Sequence, residues 1–398
     1  MANWNIRKNN RRLITYILFI PFFFPRGFAE YSQTYKMIYT LWLYASSVIL
    51  LIELCLYVSN SRVRIKPYIS SLLLFQIYFI VDTIILQRGI HEGLQKLFIV
   101  PILCLGCYVY FETKPKVFLE SISNILIVLF LLNACVFNPV FFSGFFSASK
   151  KLLFLGHVQM AGQIGLLGIF VSYLLKETKK KNAKKAKLLL FLSIITMILS
   201  QTISALICLV IYLIGMTFGR IKAIDNKGKK TKLIILVFLT INFAAMGYLY
   251  THNWSFAGIG IASTIHGRLA IWNEIVNLLQ NHWLFGYGAY GYKIQVYWSA
   301  WTNPEGMIYA HNQFFQLLLD GGIVLLLLFV RTVFKYIQKM NLRITSTQIR
   351  QITIIVLISF LTLMLIESPA EYFYFFIVLS IFPYIGIASR HDYYSIIE

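Results

Sequence analysis

Along the chain, apolar runs of roughly the length a helix needs to cross a bilayer, about 20 residues, alternate with short polar breaks. They fall near residues 13–30, 36–58, 68–87, 97–112, 117–138, 152–175, 233–251, 313–334, 352–368 and 372–389. One more run, 188–218, is too long for a single crossing and lies between the basic stretches KETKKKNAKKAK and GRIKAIDNKGKKTK. A single crossing would send one of those stretches outward, against the preference of basic loops for the cytoplasm. Two short helices turning near SQTIS keep both inside. The pattern therefore predicts an all-α polytopic membrane protein of about 12 transmembrane helices with both termini cytoplasmic. The first run, LITYILFIPFFF, lacks a small-residue cleavage site and reads as the first span, not as a signal peptide.

The spans divide the chain into three parts. Residues 1–251 carry spans one to nine, including the short hairpin near 188–218. Residues 252–312 form one large outward loop, and residues 313–398 hold spans ten to twelve and a cytoplasmic C-terminus. Composition supports the membrane class, with 58% hydrophobic and 13% charged residues. The net charge of +21 follows from topology, because most basic residues fall in the segments assigned to the cytoplasm; nucleic acid is not implied. Cys55, Cys104, Cys107, Cys135 and Cys208 all sit in apolar runs and indicate neither disulfides nor a zinc site.

The outward loop is where chemistry concentrates. It holds Trp254, Trp272, Trp283, Trp298 and Trp301, five of the seven tryptophans, beside the glycine-rich GYGAYGY with Tyr287 and Tyr290. Aromatic faces with neighbouring amides suit sugar rings; the same residues also suit an interfacial belt. The glycines permit a tight turn or a close approach to a ligand. Within the loop, GRLAIWNEIVNLLQNHW sets Leu269, Trp272, Val276 and Leu279 on one stripe of an amphipathic helix, expected to lie along the outer membrane interface. Arg268 falls in its expected first turn, where the dipole disfavours a cation unless an anion such as a diphosphate binds there; the plainer reading is an arginine reaching to lipid headgroups.

EGMIYAHNQFFQLLLDGG then places His311 and three amides at the outer start of an apolar run. A histidine there acts as a general base near neutral pH or completes a buried polar network. His157, Gln159 and Gln163 in FLGHVQMAGQIGLL face the same side, for substrate contact or helix–helix hydrogen bonding. Glu367 and Glu371 flank Pro369 in LIESPAEYF, at the outer turn between the last two spans. Carboxylates at such a boundary are solvated or paired with a cation, or, for Glu367, orient His311 or Arg268.

The order of a large outward loop, GRLAIW, FGYGAYGY and AHNQFFQLLLDGGI resembles the O-antigen ligases and the Wzy-type polymerases of O-antigen or capsule, over roughly residues 150–340. The resemblance implies a GT-C-type glycosyltransferase of the bacterial inner membrane, acting at the periplasmic face without metal or cofactor. Donor and acceptor would be undecaprenyl-diphosphate-linked oligosaccharides among membrane lipids, with a flippase and a chain-length regulator as partners. Arg268 would clamp the diphosphate and His311 would be the base. Substrate contacts would come from Asn312, Trp272, Tyr287, Tyr290, Gln201, Ser204, His157, Gln159, Glu367 and Lys293. One departure stands out: family ligases and many of the polymerases carry an arginine at the outward turn of the short hairpin, and here that position is Ile203. Lys293, Lys150 or Lys151 would have to replace it. The missing arginine and the aromatic loop favour a repeat-unit polymerase over a ligase to lipid A-core in lipopolysaccharide biosynthesis. A flippase is the rival from another class, but internally repeated halves, its expected sign, are not evident.

Overall fold

The computed structural model describes residues 12–23, 25–30, 32–60, 66–86, 90–136, 152–178, 182–218, 233, 236–242, 244, 247–248, 263–298, 301–340 and 346–385. Trp254, Lys150 and Lys151, most of the run at 233–251 and both chain ends lie outside these residues, as do the side chains of Trp298 and Trp301.

Helices dominate. In chain order they are α1 (Arg12–Phe23), α2 (Gln33–Asn60), α3 (Pro67–Leu86), α4 (Ile90–Thr113), α5 (Pro115–Leu131), α6 (Val158–Thr178), α7 (Ala183–Leu199), α8 (Ile203–Phe218), α9 (Ser263–Leu279), α10 (Gln313–Gln338), α11 (Thr347–Ile366) and α12 (Phe373–Ile381). Six stretches of the described residues, Gln33–Ser59, Pro67–Leu86, Pro115–Cys135, Val158–Thr178, Gln313–Gln338 and Thr347–Ile366, are long and apolar enough to cross a membrane. Several shorter apolar helices accompany them. Along α2, Met37, Leu41, Val48, Ile52 and Leu56 share one helical face and are all exposed, as suits a helix surrounded by lipid. The chain is a multi-pass membrane protein.

The helix at the centre is α6. Its Ile164, Leu166, Leu167, Ile169, Phe170 and Val171 are fully buried, as expected of a helix apolar all round. Gly162, Gly165 and Gly168 recur every third residue along it. A methyl group at Gly165 would overlap Met197, and one at Gly168 would overlap Ser193 and Phe130. These small residues let α7 and α8 lie directly against α6. Residues 183–218 thus form two helices that turn at 200–202.

Two boundaries differ from the apolar pattern. The run at 13–30 is broken at Phe23, with Pro21 and Pro25 ending the helix, and continues as a 3-10 turn at Arg26–Glu30. The run at 152–175 begins with a small antiparallel hairpin, β1 (Leu152–Leu153) with β2 (Gly156–His157), before α6 starts. The helical class holds, while the described residues of 252–312, expected to contain short amphipathic helices, combine a helix, α9, with a hairpin of β3 (Ile294–Trp298) and β4 (Trp301–Met307) that was not expected. IQVYW is rich in β-branched and aromatic residues, which favour a pleated strand.

The segment at 283–287 is locked to the bundle by glycines. Helix α10 is kinked at Gly321 and Gly322, and Gly322 takes φ 66°, ψ −166°, open essentially only to glycine. The break frees Leu319 O and Ile323 N, which bond to Tyr287 N at 2.7 Å and Trp283 O at 2.9 Å. Gly286, at φ 70°, packs against the backbone of 319–322. Gly286, the first glycine of GYGAYGY, therefore serves a close approach, but to a helix of the same chain.

Gly322→Ala should cost more than about 2 kcal/mol, because its methyl group would meet the Leu284 backbone in a disfavoured conformation. Gly267→Ala, with open space around the added carbon, should leave stability unchanged or raise it by up to about 1 kcal/mol. Thermal unfolding of the detergent-solubilised chain measures both; equal melting temperatures for the two variants would contradict the lock.

Candidate active site

His311 is held by the peptides just before it. Trp272 Nε1 donates to Ala310 O at 3.0 Å, Ala310 N donates to Gln316 Oε1 at 2.8 Å, and Tyr292 OH donates to Ile308 O at 3.1 Å. His311 adopts φ 52°, an uncommon left-handed conformation, and the clamps on residues 308–310 over-determine it. Non-glycine residues with positive φ, among those described, are Gln201, Tyr290 and His311. All are positions singled out from the sequence.

The next residue starts α10. Asn312 Oδ1 accepts from Phe314 N and Phe315 N at 2.9 and 3.1 Å, an N-cap. Its Nδ2 donates to Asn242 Oδ1 and Leu365 O, both at 2.9 Å. Every hydrogen-bonding position of this buried amide is taken within the protein, so Asn312 joins α10 to α11 and offers no amide atom to a ligand.

The centre of the cluster is Glu367, fully buried at the C-terminal end of α11. Arg268 Nη2 donates to its Oε1 at 2.6 Å, and His311 Nδ1 lies 3.3 Å from its Oε2. A buried carboxylate is costly unless paired and hydrogen-bonded, and here one carboxylate joins two separate elements. A carboxylate only accepts, so the Nδ1 of a neutral His311 carries the proton and Nε2 keeps the basic lone pair. Tyr309 packs edge-on against the His311 ring with centroids 4.6 Å apart, and its OH accepts from Ser368 N at 3.1 Å. The Tyr309 hydroxyl is held well above its ordinary range, by burial first and then by neighbouring Tyr372 and Glu367, and stays protonated.

Arg268 is not where the sequence pattern put it. α9 begins at Ser263, so Arg268 lies in the second turn, away from the free N–H groups of the helix start. Its charge is balanced by Glu367, and the dipole argument for a bound anion does not apply. The apolar stripe is also broader than Leu269, Trp272, Val276 and Leu279: Ile271 and Ile275 are among the most buried residues of α9. This face packs on β3 and α10.

The remaining candidates divide. Trp272 holds the 310 peptide and packs against Phe315. Tyr287 donates to Leu278 O at 2.7 Å and stacks near His282, a scaffold role. Tyr290 donates to Glu371, and burial and that carboxylate push its hydroxyl well above the ordinary value. Gln201 is exposed in the α7–α8 turn, and the buried Ser204, in the first turn of α8, donates to Thr202 Oγ1 at 3.4 Å. Ile203 beside them is exposed. His157 is exposed and its Nδ1 accepts from Gln159 N at 3.4 Å, whereas Gln163 is fully buried. Lys293 is exposed on the hairpin near Gly306. Sequence reasoning passed over Tyr309 and gave Gln316, one of the three amides beside His311, no role of its own, although it stands four residues after Asn312, on the same face of α10.

A cavity of about 580 Å³ opens beside Tyr309, between α1, α2 and the 371–374 turn. Its size is that of a small-molecule site.

The fold and this cluster define a multi-pass helical membrane protein with an Arg–Glu–His centre built on a buried carboxylate, on its loop-bearing side. Residues 188–330 match the family model described as O-antigen ligase, consistent with the O-antigen ligase and Wzy-type family that the motifs resemble. The matched segment contains Arg268 and His311, and Glu367 lies beyond it. No curated protein matches the chain.

Removing Glu367 should leave Arg268 unpaired. Glu367→Ala should cost about 3–5 kcal/mol, as for a broken buried ion pair, and the Arg268→Ala/Glu367→Ala pair should cost less than the sum of the single changes by about 1–3 kcal/mol. A denaturation double-mutant cycle reads this coupling; strict additivity would mean that the pair is not coupled.

Proposed function

We propose that the protein is a membrane glycosyltransferase that polymerises lipid-linked repeat units of a surface polysaccharide. The observation that carries the reading is the bridge from Glu367 to both Arg268 and His311, two residues within the segment matching the ligase family. In this reading the chain crosses the bacterial inner membrane about 12 times with a GT-C-type arrangement, and the 263–312 segment faces the periplasm.

The chemistry follows from the parts. His311 Nε2 takes the proton of an acceptor sugar hydroxyl, whose oxygen attacks the anomeric carbon of the donor. The bond from that carbon to the diphosphate oxygen breaks, and its electron pair leaves with the undecaprenyl diphosphate. Arg268 has further N–H donors beyond the one on Glu367 and stabilises the charge developing on the leaving group. Glu367 keeps His311 in the tautomer with a free Nε2 and stabilises the imidazolium once it forms. Attack from the face opposite the diphosphate inverts the anomeric centre.

A second reading, ligation of the finished glycan to lipid A-core, is favoured by the matching family's description. Ile203 speaks against it: an exposed apolar side chain stands where a ligase-like hairpin would present an arginine.

In the source strain lacking this gene, wild type should restore a long glycan ladder on a gel, while His311→Ala and Arg268→Ala, at normal membrane abundance, should leave core bearing a single repeat. A normal ladder from well-expressed His311→Ala would remove the base assignment. Bare core with polymer still on its lipid carrier would mean ligase, and bare core with single repeats trapped at the cytoplasmic face would mean flippase.

A further inference from the structure

The cavity beside Tyr309 takes no part in the mechanism above. Its cationic lining residues are Arg26 and Lys36, both exposed, and its carboxylate is Glu371, which already accepts from Tyr290. Positive charge is thus in excess in a space whose walls also present Tyr39, Tyr309 and Tyr372. The Arg26 guanidinium lies 5.8 Å from the centre of the Tyr372 ring, a cation–π distance. Its backbone is tied down as well: Arg26 N donates to Leu155 O at 3.3 Å and Gly27 N to Phe154 O at 3.1 Å, which fixes the chain break after α1 on the β1–β2 turn. The cavity is therefore a cationic, tyrosine-walled space with a fixed frame. Lys36 sits at the start of α2, next to the exposed apolar Met37 and Leu41, so an anion held there would have a lipid-facing surface for an attached hydrocarbon chain. Tyr309 touches His311 on one side and lines the cavity on the other.

We propose that this cavity is a second diphosphate-lipid site, in which Arg26 and Lys36 hold the carrier diphosphate of the acceptor while Arg268 holds that of the donor. The inference rests on the polymerase reading, in which both reactants are lipid-linked and two diphosphates must be held at once. Arg26 and Lys36 then take over the function left vacant at Ile203, from a different helix pair. Phosphate oxygens accept from both cations, and the tyrosine rings face the first sugars of the acceptor. A bilayer phospholipid offers similar anionic chemistry, so the test must separate the two sources.

The test uses the full chain in nanodiscs, with undecaprenyl diphosphate as probe and native mass spectrometry as readout. Wild type should bind two molecules. Arg26→Gln/Lys36→Gln should lose one of them, or weaken it about tenfold or more, the loss expected for charged hydrogen bonds. Arg268→Gln should lose the other, and Arg26→Lys should retain most of the binding. Because Arg26 and Lys36 are exposed, the melting temperature of the double variant should match wild type. Unchanged stoichiometry and affinity in Arg26→Gln/Lys36→Gln would overturn the proposal. So would displacement of the second molecule by phosphatidylglycerol as readily as by unlabelled undecaprenyl diphosphate, which would make it a bilayer-lipid site. Polymer synthesis from lipid-linked repeats separates this inference from the reading beneath it. No polymer from wild type, with two-lipid binding intact, would fell the polymerase and leave the site; polymer at the wild-type KM from Arg26→Gln/Lys36→Gln would fell the site and leave the polymerase.

Discussion

A single buried carboxylate organises the loop-bearing side of this protein. Glu367 has no exposed surface, and a charge there persists only with partners close enough to offset its lost hydration. It has two, from elements far apart in sequence: Arg268 on α9 and His311 at the entrance to α10. The requirement works in both directions. The carboxylate needs the cation, and the two side chains are brought together because they share it. Without Glu367, α9 would still pack through Ile271 and Ile275, but nothing would fix the Arg268 head group relative to the imidazole.

The surrounding scaffold is shaped to keep that meeting point rigid. Asn312 caps α10 and ties it to α11, Trp272 ties α9 to the peptide before His311, and Gln313 Oε1 accepts from Ala370 N at 2.7 Å just past Glu367. The glycine break of α10 adds the hydrogen bonds that hold 283–287 against the bundle. The contacts at Ala310, Asn312, Leu365 and Ala370 use backbone groups of turns and helix ends, which have no partner inside a helix, and those at Leu319 and Ile323 use groups that the glycine break frees.

Much of this was legible in the sequence, and the failures have physical reasons. His311 and Arg268 were visible as polar groups in an apolar chain, and Glu367 as a carboxylate at the same boundary, since such groups need partners in or near a bilayer. Asn312 was expected only as a substrate contact; in the structure its amide makes four bonds within the protein. The start of α9 was misjudged because Ser263 and Thr264 lie upstream of the apolar stripe, which tracks burial and not the hydrogen-bonded helix end. GYGAYGY disclosed a close backbone approach but not what approaches. Arg26 and Lys36 carried no signal at all, since their cavity is closed by residues 290–374, a contact between distant parts of the chain.

The family match runs from α7 through α10 and therefore includes the arginine and the histidine but neither the carboxylate that joins them nor Arg26 and Lys36, the cations of the cavity beside them. A segment containing Arg268 and His311 without Glu367 describes two reactive groups with no fixed relation, and Arg268 alone would be read as reaching for lipid headgroups. Pairing changes that assignment: an arginine held at 2.6 Å by a fully buried carboxylate is not extended toward headgroups. Its remaining donors are fixed in direction relative to the imidazole, and fixed direction is what stabilising charge on a leaving group requires.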